Sequence, residues 1–102
     1  MEDIVQKIIE TLSIIRLRPK MYFRNVGELK AMLAGFNMAC GLFGYPSGFD
    51  DAYRQAVVER GWKWLPAAGV LPALIENGLD DDSIVEELLT IEIEAWKKRY
   101  SN

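Results

Sequence analysis

Asp80-Asp81-Asp82-Ser83-Ile84-Val85-Glu86-Glu87-Leu88-Leu89-Thr90-Ile91-Glu92-Ile93-Glu94-Ala95-Trp96-Lys97-Lys98-Arg99 runs from an acidic triplet to a basic one. A helix carries partial positive charge at its N-terminus and partial negative charge at its C-terminus, so both triplets sit where the dipole favours them. Ile84, Val85, Leu88, Leu89, Ile91 and Trp96 supply an apolar side at helical spacing. Ile91-Glu92-Ile93 has local strand character, but three residues cannot overturn the helical context around them. The spacing therefore predicts one long amphipathic helix, which needs partners to cover its apolar side.

The rest of the chain offers those partners. Residues 3–15 read as a helix through Ile4, Ile8, Leu12 and Ile15, widened by Val5 and Ile9. Pro19 ends it, because the residue before a proline is pushed out of helical geometry. Asn25-Val26-Gly27-Glu28 resembles a capping box for a second helix, with an apolar face of Leu29, Met32, Leu33, Phe36, Ala39, Cys40 and Phe43. Gly44 to Gly48 is a turn by composition. A third helix is expected from Ser47 or Gly48, with Phe49, Ala52, Tyr53, Ala56 and Val57 inward and Gly61 as its C-terminal cap. Pro72 forbids an unbroken helix from Pro66 to Asn77, so that piece is either kinked or restarts near Leu71. The expectation is an all-α single domain over residues 1–102, a compact bundle of about five helices with short connections.

The 102 residues suit one domain, and half are apolar, enough for a core without disulfides or metal. Cys40 is the sole cysteine and sits in an apolar run, which predicts a buried thiol. The N-terminus carries acids at once and no apolar core of signal-peptide length, and no run is long enough to span a membrane. A cytoplasmic protein is expected.

The chemistry the chain lacks is as informative. It has no histidine, which removes the commonest general base and metal ligand. One cysteine without histidine excludes the ordinary zinc patterns. Ser13, Ser47, Ser83 and Ser101 lack a nucleophile-elbow setting, and no phosphate-binding glycine motif appears. The expectation is no enzyme, no cofactor and no metal site.

Charge is uneven. The net charge is −3, which argues against a free nucleic-acid binder. Residues 1–30 hold six cations against four acids, and residues 79–94 hold seven acids and no cation. Asp80, Asp81, Asp82, Glu86 and Glu87 are read either as a solvated helix start or as an anionic patch for a basic partner. Asp50 and Asp51 form a second acidic cluster. Trp62 and Trp64 are read as core residues or as interface anchors. Arg16, Arg18, Lys20 and Arg24 could hold phosphate, or could compensate a helix C-terminus. On the second reading Met21, Tyr22 and Phe23 hook the loop back over the core.

Ile15-Arg16-Leu17-Arg18-Pro19-Lys20-Met21-Tyr22 resembles the Arg-x-Arg-Pro-x-Met-Tyr run of the ATPase domain of DNA gyrase B-type enzymes. The match ends there, since no Glu-x-x-x-Asn pair or glycine-rich lid follows. The same string also resembles the start of small bacterial immunity proteins of contact-dependent growth inhibition and related polymorphic toxin systems. Leu29 to Asn37, Phe49 to Arg60, Trp62 to Trp64 and Asp80 to Trp96 look like their later segments. The resemblance implies a partner, a cognate toxin domain, commonly a nuclease, bound inside the producing cell. It supplies no catalytic residue. A homodimeric interaction or regulatory module, using a spare apolar helix face, stands as the alternative.

Overall fold

A computed structural model describes residues 3–66 and 68–100; Ser101, among the serines considered above, lies outside them. The chain is all-α, with five α-helices and no strand among the described residues. They are α1 (Asp3–Leu17), α2 (Val26–Leu42), α3 (Asp51–Glu59), α4 (Leu71–Glu76) and α5 (Asp81–Tyr100). A 3₁₀ turn at Pro19–Met21 follows α1.

The long helix expected from residues 80–99 organises everything else. At 1.5 Å per residue α5 is about 30 Å long, close to the longest dimension of the molecule, 37 Å. All four other helices pack on it. Nine of its side chains are buried, so it is covered on more than one side. Its partners supply Val5, Ile9 and Leu12 from α1, Leu29 from α2, Tyr53, Ala56 and Val57 from α3, and Leu74 from α4. Trp96 lies at the centre with no exposed surface. Its ring meets Phe36 at 5.8 Å and Tyr100 at 6.1 Å, and the Arg99 guanidinium sits 4.9 Å from its centroid.

The helix ends follow local chemistry. The Asn25 side chain accepts from the Glu28 N–H at 2.9 Å, and the Glu28 carboxylate accepts from the Arg24 N–H at 2.6 Å. The expected capping box forms, with its reciprocal bond moved back by one residue. Asp80 caps α5 by accepting from the Ser83 N–H at 2.8 Å. Pro72 falls in the first turn of α4, where its missing N–H costs no helical bond; the chain restarts at Leu71 rather than kinking.

Three local expectations are corrected. The third helix starts at Asp51, not at Ser47 or Gly48, because the Asp50 carboxylate caps it by accepting from the Tyr53 N–H at 3.0 Å. Phe49 consequently precedes the helix and stands half out of the protein. Only Phe23 hooks the loop into the core, while Met21 and Tyr22 are exposed. Much of the α2 apolar face is also open: Leu29 and Cys40 are buried, but Ala39 and Phe43 are exposed, as are Met38 and Leu42.

Candidate functional site

The structure divides the singled-out residues into two groups. Asp50, Glu87, Trp62 and Trp64 are engaged within the fold. Asp50 accepts two hydrogen bonds from Arg99, at 2.6 and 2.9 Å. Burial pushes its carboxyl up, but those bonds, the Tyr53 N–H and the Arg99 charge together hold it below its usual value. Glu87 accepts from both arms of Arg60 and, at 2.7 Å, from the Trp62 indole. The Arg60 hydrogen bond is the main reason its carboxyl is held down, with burial opposing and Trp62 helping. Trp64 packs edge-on against Phe49 at 5.2 Å and near Tyr53 at 5.9 Å. Asp50, Glu87 and Trp62 fasten α3 and the loops around it to α5, while Trp64 packs on Tyr53 of α3 and on Phe49 just before that helix.

Asp80, Asp81, Asp82, Glu86 and Asp51 are exposed. Asp51 pairs with Arg54 at 3.2 Å on α3, away from the others in sequence and element. The remaining four start α5, and the fold lays the Arg16–Met21 segment beside them. Arg16 donates to the Thr90 hydroxyl at 3.2 Å, and Lys20 pairs with Asp82 at 3.2 Å. Both partners of that pair are largely exposed, so it positions more than it stabilises. Arg16, Leu17, Arg18, Met21, Asp82 and Glu86 line an open groove between the two segments. Leu17 is 80% exposed and Met21 70%. The basic motif and the acidic helix start, treated as rival sites from sequence, line one groove that holds exposed apolar residues and charges of both signs.

Sequence reasoning missed a second feature. Glu92 is 1% exposed, and among the described residues its carboxyl accepts one hydrogen bond, from the Trp96 indole at 3.2 Å. Burial pushes it up, against the Arg99 charge and the Trp96 bond, with Asp50 adding to the rise. The signal was present: Glu92 falls in the apolar stripe between Leu88 and Trp96, at four-residue spacing. Glu92 raises the pKa of the buried Cys40 thiol as well, after the larger effect of burial, which leaves Cys40 a poor nucleophile.

This arrangement carries a prediction. A carboxyl whose folded value is raised contributes stability below its unfolded value, about 4.3, and loses it as pH rises through the folded value. Glu92→Gln is therefore expected to be more stable than the wild type at neutral pH. The gap should shrink as pH falls toward 4.3. Urea unfolding across that range checks it; a variant less stable at neutral pH contradicts it.

Among the described residues no helix is long and apolar enough to cross a membrane, and no cluster of metal-binding side chains forms. Comparison with family models, with curated proteins and with solved structures finds no match.

Proposed function

We propose that this chain is an immunity-type protein that binds and neutralises a cognate toxin domain through the groove between the Arg16–Met21 segment and the start of α5. The observation that supports this reading most is that exposed Leu17 and Met21 line one groove together with Arg16, Arg18, Lys20, Asp82 and Glu86. Protein interfaces have this anatomy, an apolar centre that is desolvated on binding and a polar rim that selects the partner. Asp80, Asp81, Asp82 and Glu86 suit a partner that is basic where it is touched, as a nuclease is where it holds phosphate.

The test is co-expression with the reading frame adjacent to its gene. Wild type should protect cells and co-purify with that product. Asp81→Lys combined with Asp82→Lys, and separately Met21→Glu, should each weaken the complex at least tenfold; Met21→Glu should leave the melting temperature unchanged, whereas the two lysines oppose the α5 dipole and should lower it by a few degrees. Unchanged affinity in both would remove this groove from the interface.

A homodimer is the second reading, favoured by α2. Met38, Leu42 and Phe43 are 71%, 82% and 79% exposed. Ala31, Gly35, Met38 and Leu42 lie at four-three-four spacing, the seam of a helix pair. Sedimentation of wild type against Met38→Glu/Leu42→Glu separates the readings: a dimer abolished by that change supports the second.

A further inference from the structure

A cavity of about 370 Å³ lies between α2, the Gly48–Tyr53 segment, the start of α4 and α5. Its walls are mostly apolar, with Leu33, Val70, Leu71 and Leu88 among them, and its size falls in the range of small-molecule pockets. Half-exposed Phe49 also lines it and lies close against Gly69. Gly69 allows this, since its φ is +72° and a Cβ there would lie 2.8 Å from the Phe49 ring. None of the groove residues lines this cavity.

Lys30, Leu33, Ala34 and Asn37 of α2 all line it. Their spacing is that of one helix face, so the cavity runs for about 10 Å along α2. Its two charged wall residues differ in access. Glu92 is 1% exposed and bound to the Trp96 indole, so it offers no open charge. Lys30 is exposed and forms no ion pair among the described residues. It also borders a more open hollow with Glu76, without pairing to it. The cavity is thus an apolar slot with one accessible charge, a cation, at the Lys30 end.

We propose that the cavity binds a medium-chain carboxylate, its apolar tail lying along α2 against Leu33, Phe49, Leu71 and Leu88 and its head group at the Lys30 ammonium. Burial of the methylenes supplies most of the affinity. A long lysine stem lies along apolar surface while its ammonium stays in water. The carboxylate therefore meets that charge at the rim, still hydrated, and escapes the cost of burying an ion. The charge sets the sign of the ligand, because a cationic head group would face Lys30 with like charge. The slot follows two turns of one helix, which fits an extended chain better than a compact ring. This site shares no residue with the Arg16–Met21 groove and stands independently of it.

The test is titration of the full chain with octanoate at low salt, followed by amide chemical shifts and calorimetry. Hexanoate, 1-octanol and octylammonium serve as comparators. Octanoate should bind at least tenfold more tightly than octylammonium, and about tenfold more tightly than hexanoate for its two further methylenes. Shifts should concentrate at Leu33, Phe49 and Leu71. Lys30→Met changes an exposed position and keeps an apolar stem, so it should fold as the wild type does. It should lose threefold or more in octanoate affinity with 1-octanol binding unchanged. Ala34→Phe, which fills the cavity from α2, should abolish binding of both. No binding of octanoate, equal binding of octylammonium or hexanoate, or full octanoate affinity in Lys30→Met would each overturn the proposal.

Discussion

Trp96→Ala is expected to cost about 3–5 kcal/mol, the range for deleting a large buried aromatic. That is a large share of the roughly 5–15 kcal/mol that holds a domain of this size. At about 4–8 °C per kcal/mol, the melting temperature should fall by about 12 °C or more. The reason is position. Trp96 is fully buried on the helix that every other helix packs against, it touches Phe36 and Tyr100, and its indole is the one hydrogen-bond donor to Glu92 among the described residues. Truncation opens a void that α5 cannot close, because α1 and α3 hold it elsewhere. It also strips Glu92 of its hydrogen bond. Trp96→Phe keeps most of the packing and should lose less, roughly 1–3 kcal/mol for the unmade bond. Thermal and urea unfolding of the two variants measure both effects; equal losses would place the whole contribution in the indole N–H.

Arg99→Ala should be comparably damaging, about 3–5 kcal/mol, because it breaks an ion pair whose guanidinium side chain is only 3% exposed and leaves a carboxylate uncompensated. Arg99 binds Asp50 with two hydrogen bonds and the Gly48 carbonyl with a third, at 3.1 Å. It thereby ties the end of α5 to the start of α3. Arg99→Lys cannot reproduce the planar fork and should fall between wild type and alanine. Replacing both partners, Arg99→Met with Asp50→Asn, should recover most of the loss. The apolar chain fills the space and asparagine still caps α3. If the double variant is no better than Arg99→Ala, the damage comes from the lost hydrogen bonds to Asp50 and the Gly48 carbonyl rather than from an orphaned charge.

The pH dependence separates half-buried Asp50 from buried Glu92. Asp50 has a lowered folded value, so its contribution is present above the unfolded value of about 4 and is lost as pH falls through the folded value. Without Arg99 that acid limb should flatten. Glu92 runs the other way, and losing the Arg99 charge raises it further. Arg99→Ala should therefore lose additional stability between acid and neutral pH, where the wild type loses less.

Most of the architecture was legible because short-range chemistry specifies it. Asn25 with Glu28 begins α2, Pro19 stops α1, and Pro72 places the start of α4 by forbidding a helix through it. The start of α3 was misplaced because glycine and serine near a turn look like a start, whereas Asp50 supplies the cap and is held in place by Arg99, 49 residues away. No local pattern encodes that bond. The α2 face was overread for a related reason: periodicity identifies an apolar stripe, but not how much of it α5 has room to cover.

The acidic helix start and the Arg-Leu-Arg-Pro-Lys-Met run were both visible as residues and as charges. By itself the sequence determined the helices, their caps and the long apolar stripe of α5, since propensity, capping and periodicity act within a few residues of one another. Only the tertiary structure decided that the two charged segments share one groove, that Glu87 and Trp62 face each other, and that Glu92 is buried against Trp96. Each of those facts depends on which elements meet across α5. Packing of the whole chain settles that, because a side chain's partner and its access to water are properties of the space around it.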